Sequence, residues 1–177
     1  LLPAVVDALA GSNIPVVGAG GFCDGRTLAA ALTLGAAGAQ MGTRFLATQE
    51  SDFHQLWKEQ VVKTSDRGTL VARGMVGPAR WLKTATSLVH QKNTLLKSPS
   101  IYLDTPDDYS TAATQDLITY EREGIKAVCT GDRERALMAG GECAQRVSDL
   151  PKVQDLVDRI MKEATAVLKN ASHYVTD

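Results

Sequence analysis

The apolar residues of this chain follow two kinds of pattern. Two short runs, one with three β-branched residues at 14–17 and one of Ala39, Gln40 and Met41, are typical of strands buried in a parallel sheet. Longer stretches with an apolar residue every three or four positions predict amphipathic helices. The hydrophobic pattern therefore predicts an α/β protein.

Glycines follow the first predicted strand. Gly20 and Gly21 can adopt positive φ, and they let backbone N–H groups approach a ligand closely. A helix is predicted over Arg26–Leu34, with Asp24 as its N-cap and Gly35 as its stop. A turn of this kind favours the binding of an anion.

Gly42 and Thr43 end the second predicted strand in the same way. The carboxyl ends of parallel strands lie on one face of an α/β fold, so the two turns would meet at one ligand. A lone Gly-Gly pair is more often a tight turn than a ligand site. Two such turns on consecutive strands favour a phosphate between them.

The same patterns predict further elements on either side of these turns. An N-terminal helix is expected over Leu1–Ala10, and a second helix from Ser51 to about Lys63 with Trp57 in the core. Thr69–Ala72 is expected to form a short strand, followed by a turn-rich link at Gly74–Arg80.

The second half of the chain is expected to be mostly helical, with Gly124 stopping its middle helix. The expected elements are a surface helix and loop over 81–104, a helix from Pro106 or Ser110 to Glu123 capped by Asp104 or Thr105, and an amphipathic helix over 153–168.

Composition limits the class of protein without naming its chemistry. The chain has 177 residues, 44% apolar and 22% charged, with a net charge of −1, which argues against nucleic acid or an anionic membrane as a partner. The cysteines, Cys23, Cys129 and Cys143, include no CxxC pair, so metal binding and a disulfide framework are not expected. Reduced cysteines fit a cytoplasmic setting.

The glycine turns lie in segments that resemble a known family. Residues 19–26, AGGFCDGR, and 35–51, GAAGAQMGTRFLATQES, are similar to the nitronate monooxygenase family, formerly called 2-nitropropane dioxygenases, which includes the FMN-dependent enoyl-acyl-carrier-protein reductases. The resemblance combines the Gly-Gly turn, a helix of this length and the (Q/N)-(M/V)-G-T-R-F strand end. Neither GxGxxG after a strand nor GxxxxGK(S/T) occurs in this sequence.

The resemblance implies a (β/α)8 barrel in which the loops after strands 7 and 8 bind the phosphate of FMN. Backbone N–H groups, with the Thr43 hydroxyl, would bind this phosphate. The implied cofactor-binding residues are Gly20, Gly21, Gln40, Met41, Gly42 and Thr43. Arg44 would lie near the phosphate or form a structural ion pair with an acidic neighbour.

The resemblance also predicts how the chain is organised. Gly131–Gly141, GDRERALMAGG, resembles the closing stretch of the family, which implies a helix beginning near the start of this segment. Residues 1–75 would be the end of the barrel with the FMN phosphate site, and 76–177 a mostly helical C-terminal extension packed on the barrel. A barrel of this kind needs roughly 250 residues, so an N-terminal barrel half is expected to be missing. The catalytic histidine of the family would lie in that half. We therefore assign no catalytic residue, and we expect surface or packing roles for His54, His90 and His173.

The implied function is an FMN-dependent oxidoreductase acting on a small molecule, with alkyl nitronates oxidised by O2 as the favoured reaction. Met41, where the reductases tend to have Val, favours this reaction. Reduction of an enoyl thioester by NAD(P)H is the alternative. A further alternative is that the protein is a barrel that binds a phosphorylated metabolite and has no redox activity.

Overall fold

The protein has an α/β fold. The structure is a computed structural model, and it describes residues 1–75, 77–103, 105, 108–171 and 173. The elements in chain order are α1 (Leu2–Ala8), β1 (Val17–Ala19), α2 (Gly25–Thr33), β2 (Gly38–Gln40), α3 (Gly42–Leu46), α4 (Gln55–Lys63), β3 (Thr69–Gly74), β4 (Gly77–Leu82), α5 (Ala85–Lys97), α6 (Ala112–Cys129) and α7 (Val153–Ala171).

These elements form two compact units. The first contains Leu1–Ser51 and the described residues from Asp149 onward, and the second contains Asp52–Ser148. Helix α7 belongs to the first unit because it packs on α2. The sequence analysis divides the chain after residue 75, between the end of the barrel and the C-terminal extension. That division stays a prediction.

The first unit contains the predicted strand–helix–strand segment. Strands β1 and β2 pair in parallel, with Val17 opposite Gly38 and Ala19 opposite Gln40. Asp24 caps α2 as expected: its Oδ1 accepts a hydrogen bond from Thr27 N at 2.8 Å. In return, the Thr27 hydroxyl accepts one from Asp24 N at 3.1 Å, which completes a capping box.

Helix α7 forms the core of the first unit with β2 and α2. Leu156 and Ile160 are buried against Met41, and the apolar face predicted for the final helix is confirmed. Gly25 lies directly against α7, since a Cβ atom there would come within 2.5 Å of Ala164 N. Only glycine allows the two helix backbones to approach this closely.

The second unit is built on an antiparallel hairpin. Strand β3 pairs with β4 from Thr69 opposite Leu82 to Gly74 opposite Gly77. The expected strand at Thr69–Ala72 is confirmed, but the expected link at Gly74–Arg80 is wrong in part. Gly74 ends β3 and Gly77–Arg80 lie in β4, since backbone pairing and the burial of the neighbouring Trp81 stabilise an extended conformation there.

A third extended segment pairs with β4, so the expected helix at Gly131–Gly141 is also wrong. Leu82 N donates to Met138 O at 2.8 Å, and Gly140 N donates to Arg80 O at 3.1 Å. Leu137, the residue before Met138, is fully buried in the core of the hairpin. Pairing with β4 satisfies backbone groups that a helix would otherwise have satisfied internally.

Helices α4 and α6 differ from expectation at their ends. Helix α4 begins at Gln55, after His54, whose Nδ1 accepts a hydrogen bond from Leu56 N at 3.1 Å. Helix α6 has Thr111 as its N-cap, and it continues past Gly124.

Gly124 is a packing position and not a helix stop. A Cβ atom there would lie 2.5 Å from the Cβ of Leu137, so the glycine lets the extended segment pack on α6. Thr105 does not cap this helix, and the alternative start at Pro106 and cap at Asp104 fall outside the described residues.

The interpretation of 81–104 as surface helix and loop is wrong in part, because α5 buries polar residues in the second unit. His90 is fully buried, and its Nε2 donates to the Arg73 carbonyl at 2.7 Å. Arg73 and Glu121, also fully buried, form an ion pair at 2.8 Å. Buried polar groups with such partners are tolerated in a core, and sequence alone does not show the partners.

Burial determines the charge state of His90. Because the Arg73 carbonyl can only accept, Nε2 carries the proton, and the neutral ring has its lone pair at Nδ1. Burial lowers the pKa of His90, and the Arg73 guanidinium lowers it further, although the hydrogen bond to the Arg73 carbonyl opposes both. The ring stacks on Tyr120, at 5.6 Å between ring centroids.

Replacing Gly25 with Ala is expected to destabilise the first unit by about 2 kcal/mol, because the new methyl group overlaps the backbone of α7. The measurement is the free energy of unfolding by chemical denaturation. Gly38→Ala is the matched control, since a Cβ atom there meets nothing within 4 Å. An equal loss of stability in both variants would contradict the close packing.

The stability of the second unit is expected to fall as the pH drops below about 6.5, the ordinary histidine value. The unfolded chain takes up a proton there that folded His90 takes up only at lower pH. Unfolding free energies measured between about pH 7 and pH 5 should show a smaller slope for His90→Gln. A slope that is unchanged in His90→Gln would refute the assignment.

Candidate functional site

The structure brings the two glycine turns together. Ala19 and Gln40 are partners at the ends of β1 and β2, and the turns at Gly20 and Met41 follow at once. Neighbouring strands lie about 4.8 Å apart. The two segments that the sequence singled out therefore emerge side by side, at the same edge of the parallel pair.

Both turns present backbone N–H groups to solvent. Gly20 and Gly21 have φ values of 90° and 82°, as the sequence predicts, and Gly42 is the first residue of α3. Within the described part of the chain, no residue accepts a hydrogen bond from the N–H of Gly20, Gly21 or Gly42. A Cβ atom at any of the three would meet nothing within 4 Å. These donors are therefore open to a ligand.

The start of α2 is different, because protein groups already occupy its donors. Cys23 N donates to the Thr27 hydroxyl at 3.0 Å. Gly25 N donates to a carboxylate oxygen of Glu163 at 2.8 Å. A further anion at this helix start would meet two carboxylates, Asp24 and Glu163, so the open donors lie only in the turns before it.

The other residues of the second turn differ in accessibility. Gln40 is exposed and Thr43 is partly exposed. The side chain of Met41 is buried, 9% exposed, in the core with Leu156. Met41 therefore presents backbone groups at this turn, and the preference for nitronates that its difference from Val suggests stays a prediction.

Arg44 forms the structural ion pair that the sequence left as one of two possibilities. Its Nη1 donates to Asp149 Oδ1 at 2.9 Å, and its Nη2 donates to the Asp149 carbonyl at 2.9 Å. Arg159 donates to the other oxygen of Asp149 at 2.7 Å. The hydrogen bond from Arg159, together with the charge of Arg44, holds the pKa of Asp149 below its ordinary value.

The sequence analysis missed Asp149 and Glu163. They lie 105 and 138 positions along the chain from Arg44 and Gly25, their partners. The only local signal is their position before and within a strongly amphipathic helix, which predicts packing but names no partner.

Other parts of the described chain do not add a metal or membrane feature. Among the described residues, no group of three or more His, Cys, Asp or Glu is arranged to hold a metal ion. None of the described helices is both long and apolar enough to cross a bilayer. The second unit has an open, mostly apolar recess of about 430 Å³. It is lined by Asp52, Phe53, His54, Trp57, Ile125, Val128 and Cys129.

Sequence comparison finds relatives that match the whole chain or a part of it. A dehydrogenase of Mycobacterium tuberculosis, named for (3aS,4S,5R,7aS)-5-hydroxy-7a-methyl-1-oxo-octahydro-1H-indene-4-carboxyl-CoA, is 31% identical over 99% of this chain and 56% of its own length. Nitronate monooxygenase npaC of Metarhizium robertsii is 58% identical over 37% of this chain and 18% of its own length. The chain thus spans about half the length of the first of these relatives.

The structure is similar to that of FabK from Thermotoga maritima, with a TM-score of 0.79 and 32% identity over 99% of this chain and 51% of FabK. The nitronate monooxygenase family model matches residues 1–163. That match covers the parallel pair, both glycine turns and the whole second unit. The chain belongs to the nitronate monooxygenase family.

Proposed function

We propose that the protein is an FMN-dependent oxidoreductase whose two glycine turns bind the phosphate of FMN. The cofactor-binding residues are Gly20, Gly21, Gln40, Met41, Gly42 and Thr43. The observation that carries the proposal is the set of open N–H groups on two adjacent turns. In the parent (β/α)8 barrel, β1 and β2 would be strands 7 and 8.

The donor set suits a phosphate. Backbone N–H groups bind a dianion by charge-assisted hydrogen bonds, which are stronger than those between neutral groups. The Thr43 hydroxyl would add a donor. No lysine is needed, because the bare glycines let the phosphate approach the backbone itself. The carboxylates of Asp24 and Glu163 at the start of α2 direct the phosphate to the turns.

The favoured reaction is the oxidation of alkyl nitronates by O2. The family match over residues 1–163 and the relative in Metarhizium support it. When bound, FMN supplies the redox chemistry. The residues of this chain bind and orient the cofactor, and we assign none of them a catalytic role.

Reduction of an enoyl thioester by NAD(P)H is the second candidate. One observation favours it: the relative from Mycobacterium tuberculosis, which covers 99% of this chain, is named as a dehydrogenase of a CoA thioester. A relative that matches nearly the whole chain is therefore named for redox chemistry on a CoA-linked substrate.

The full-length protein is expected to be yellow and to release FMN on denaturation. Under anaerobic conditions, an alkyl nitronate should bleach the visible flavin band, since the nitronate is the proposed electron donor. The measurement is the absorption spectrum during titration with the nitronate and, separately, with NAD(P)H.

Each outcome of this titration has one meaning. Bleaching by NAD(P)H and not by the nitronate would replace the favoured reaction with thioester reduction. A colourless protein that gains no flavin spectrum with FMN would refute the flavoenzyme and leave a phosphate-binding barrel without redox chemistry.

Gly42→Val is expected to weaken FMN binding about tenfold or more, because losing one hydrogen bond to a charged group costs about 1.5–3 kcal/mol. The valine should not disturb the fold, since a Cβ atom at Gly42 meets nothing within 4 Å. The dissociation constant of FMN, measured by flavin fluorescence, tests this expectation.

Gly38→Val is the matched control for this variant. Gly38 also has open space around a built Cβ atom, but it lies at the start of β2, away from the strand end where the turns meet. FMN affinity that is unchanged in Gly42→Val, or equally reduced in both variants, would refute the phosphate assignment.

A further inference from the structure

A series of alternating charges, formed by Asp149 just before α7 and by Arg159 and Glu163 on α7, contacts the elements that follow both glycine turns. Its first contact is with α3. Arg44, the residue after Thr43, is 5% exposed at its side chain and pairs with Asp149 at 2.9 Å. Arg159 of α7 binds the same carboxylate at 2.7 Å. The second turn is thereby connected to α7 through Asp149.

The last contact of the series is with α2. Glu163 lies one helical turn beyond Arg159 on α7. One of its carboxylate oxygens accepts from Gly25 N at 2.8 Å, and the other lies 3.4 Å from Arg26 Nε. Glu163 is close enough to Arg159 that its charge, after that of Asp149, contributes to raising the pKa of Arg159.

Apolar packing also connects α7 to the residues of both turns. Gly25 touches the backbone of α7, and Met41 of the second turn packs on Leu156 and Ile160. Helix α7 therefore contacts the residues that follow the first turn and those that form the second. The separation of the two sets of open donors depends on these contacts in addition to the pairing of β1 with β2.

We infer that Asp149 and Glu163 are positioning residues of the phosphate site, which fix the two glycine turns relative to each other through α7. Neither residue needs to touch the ligand. A site built from preorganised donors is sensitive to displacements of a fraction of an ångström in the elements behind it. This inference rests on the proposed FMN phosphate site.

The test compares FMN with riboflavin, which lacks the phosphate, on full-length protein. Asp149→Asn keeps the shape of the side chain but removes its charge, which weakens the pairs with Arg44 and Arg159. We expect FMN affinity to fall about tenfold, the equivalent of one hydrogen bond to a charged group. Riboflavin affinity should stay the same, because riboflavin does not use the phosphate site.

Asp155→Asn is the matched control, since Asp155 lies exposed on the same helix and takes no part in the series. It should leave both affinities at wild-type values. Glu163→Gln is the second variant, and it tests the α2 contact if Asp149→Asn does not fold. It should also lower FMN affinity selectively.

The outcomes separate the inference from the proposed function. If the wild-type protein binds riboflavin as tightly as FMN, there is no phosphate site, and both are refuted. If the wild type prefers FMN and the variants keep that full preference, the site stands and the positioning role is refuted. A parallel loss for FMN and riboflavin in the variants would mean a general structural role, and would also overturn the inference.

Discussion

The contact between α7 and the start of α2 is the constraint on which the first unit depends. Gly25 has no side chain, so the two helix backbones lie against each other, and Leu156 and Ile160 can cover Met41. A parallel strand pair as short as β1 and β2 buries little apolar surface, and it needs such a cover on one face to be stable. The residues from Asp149 onward thus stabilise a segment that lies more than a hundred positions earlier.

Around this contact, the hydrogen-bond donors are of two kinds, those bound by protein groups and those left open. The donors at the start of α2 are satisfied by Asp24, Thr27 and Glu163, and the guanidinium of Arg44 is bound to Asp149. The donors of the glycine turns are left to solvent. Protein groups therefore occupy the donors at the start of α2, and the N–H groups of the glycine turns, where the two parallel strands end, are left open. This is the edge at which α/β folds commonly bind ligands.

The second unit follows a different principle, in which polar residues are part of the core. Arg73, Glu121 and His90 are fully buried and contact one another. Removing one partner of such a group leaves a charge in an apolar environment, so the arrangement requires all of its members. A polar stretch of sequence can therefore be buried when its partners are present. The sequence of α5 does not show those partners, and its polar residues therefore predict a surface helix. Gly124 and residues 136–140 differ from expectation for a related reason, since packing and pairing between distant segments determine their structure.

Sequence by itself determined the strand–helix–strand segment, the capping of α2 by Asp24, the amphipathic final helix and the two glycine turns. These features depend on residues within a few positions of each other, and local rules describe them. The tertiary structure alone decided that β4 pairs with two segments, that Arg44 binds Asp149, and that Glu163 occupies the start of α2. Each of those contacts joins residues far apart in the chain, and their geometry exists only after the backbone has folded.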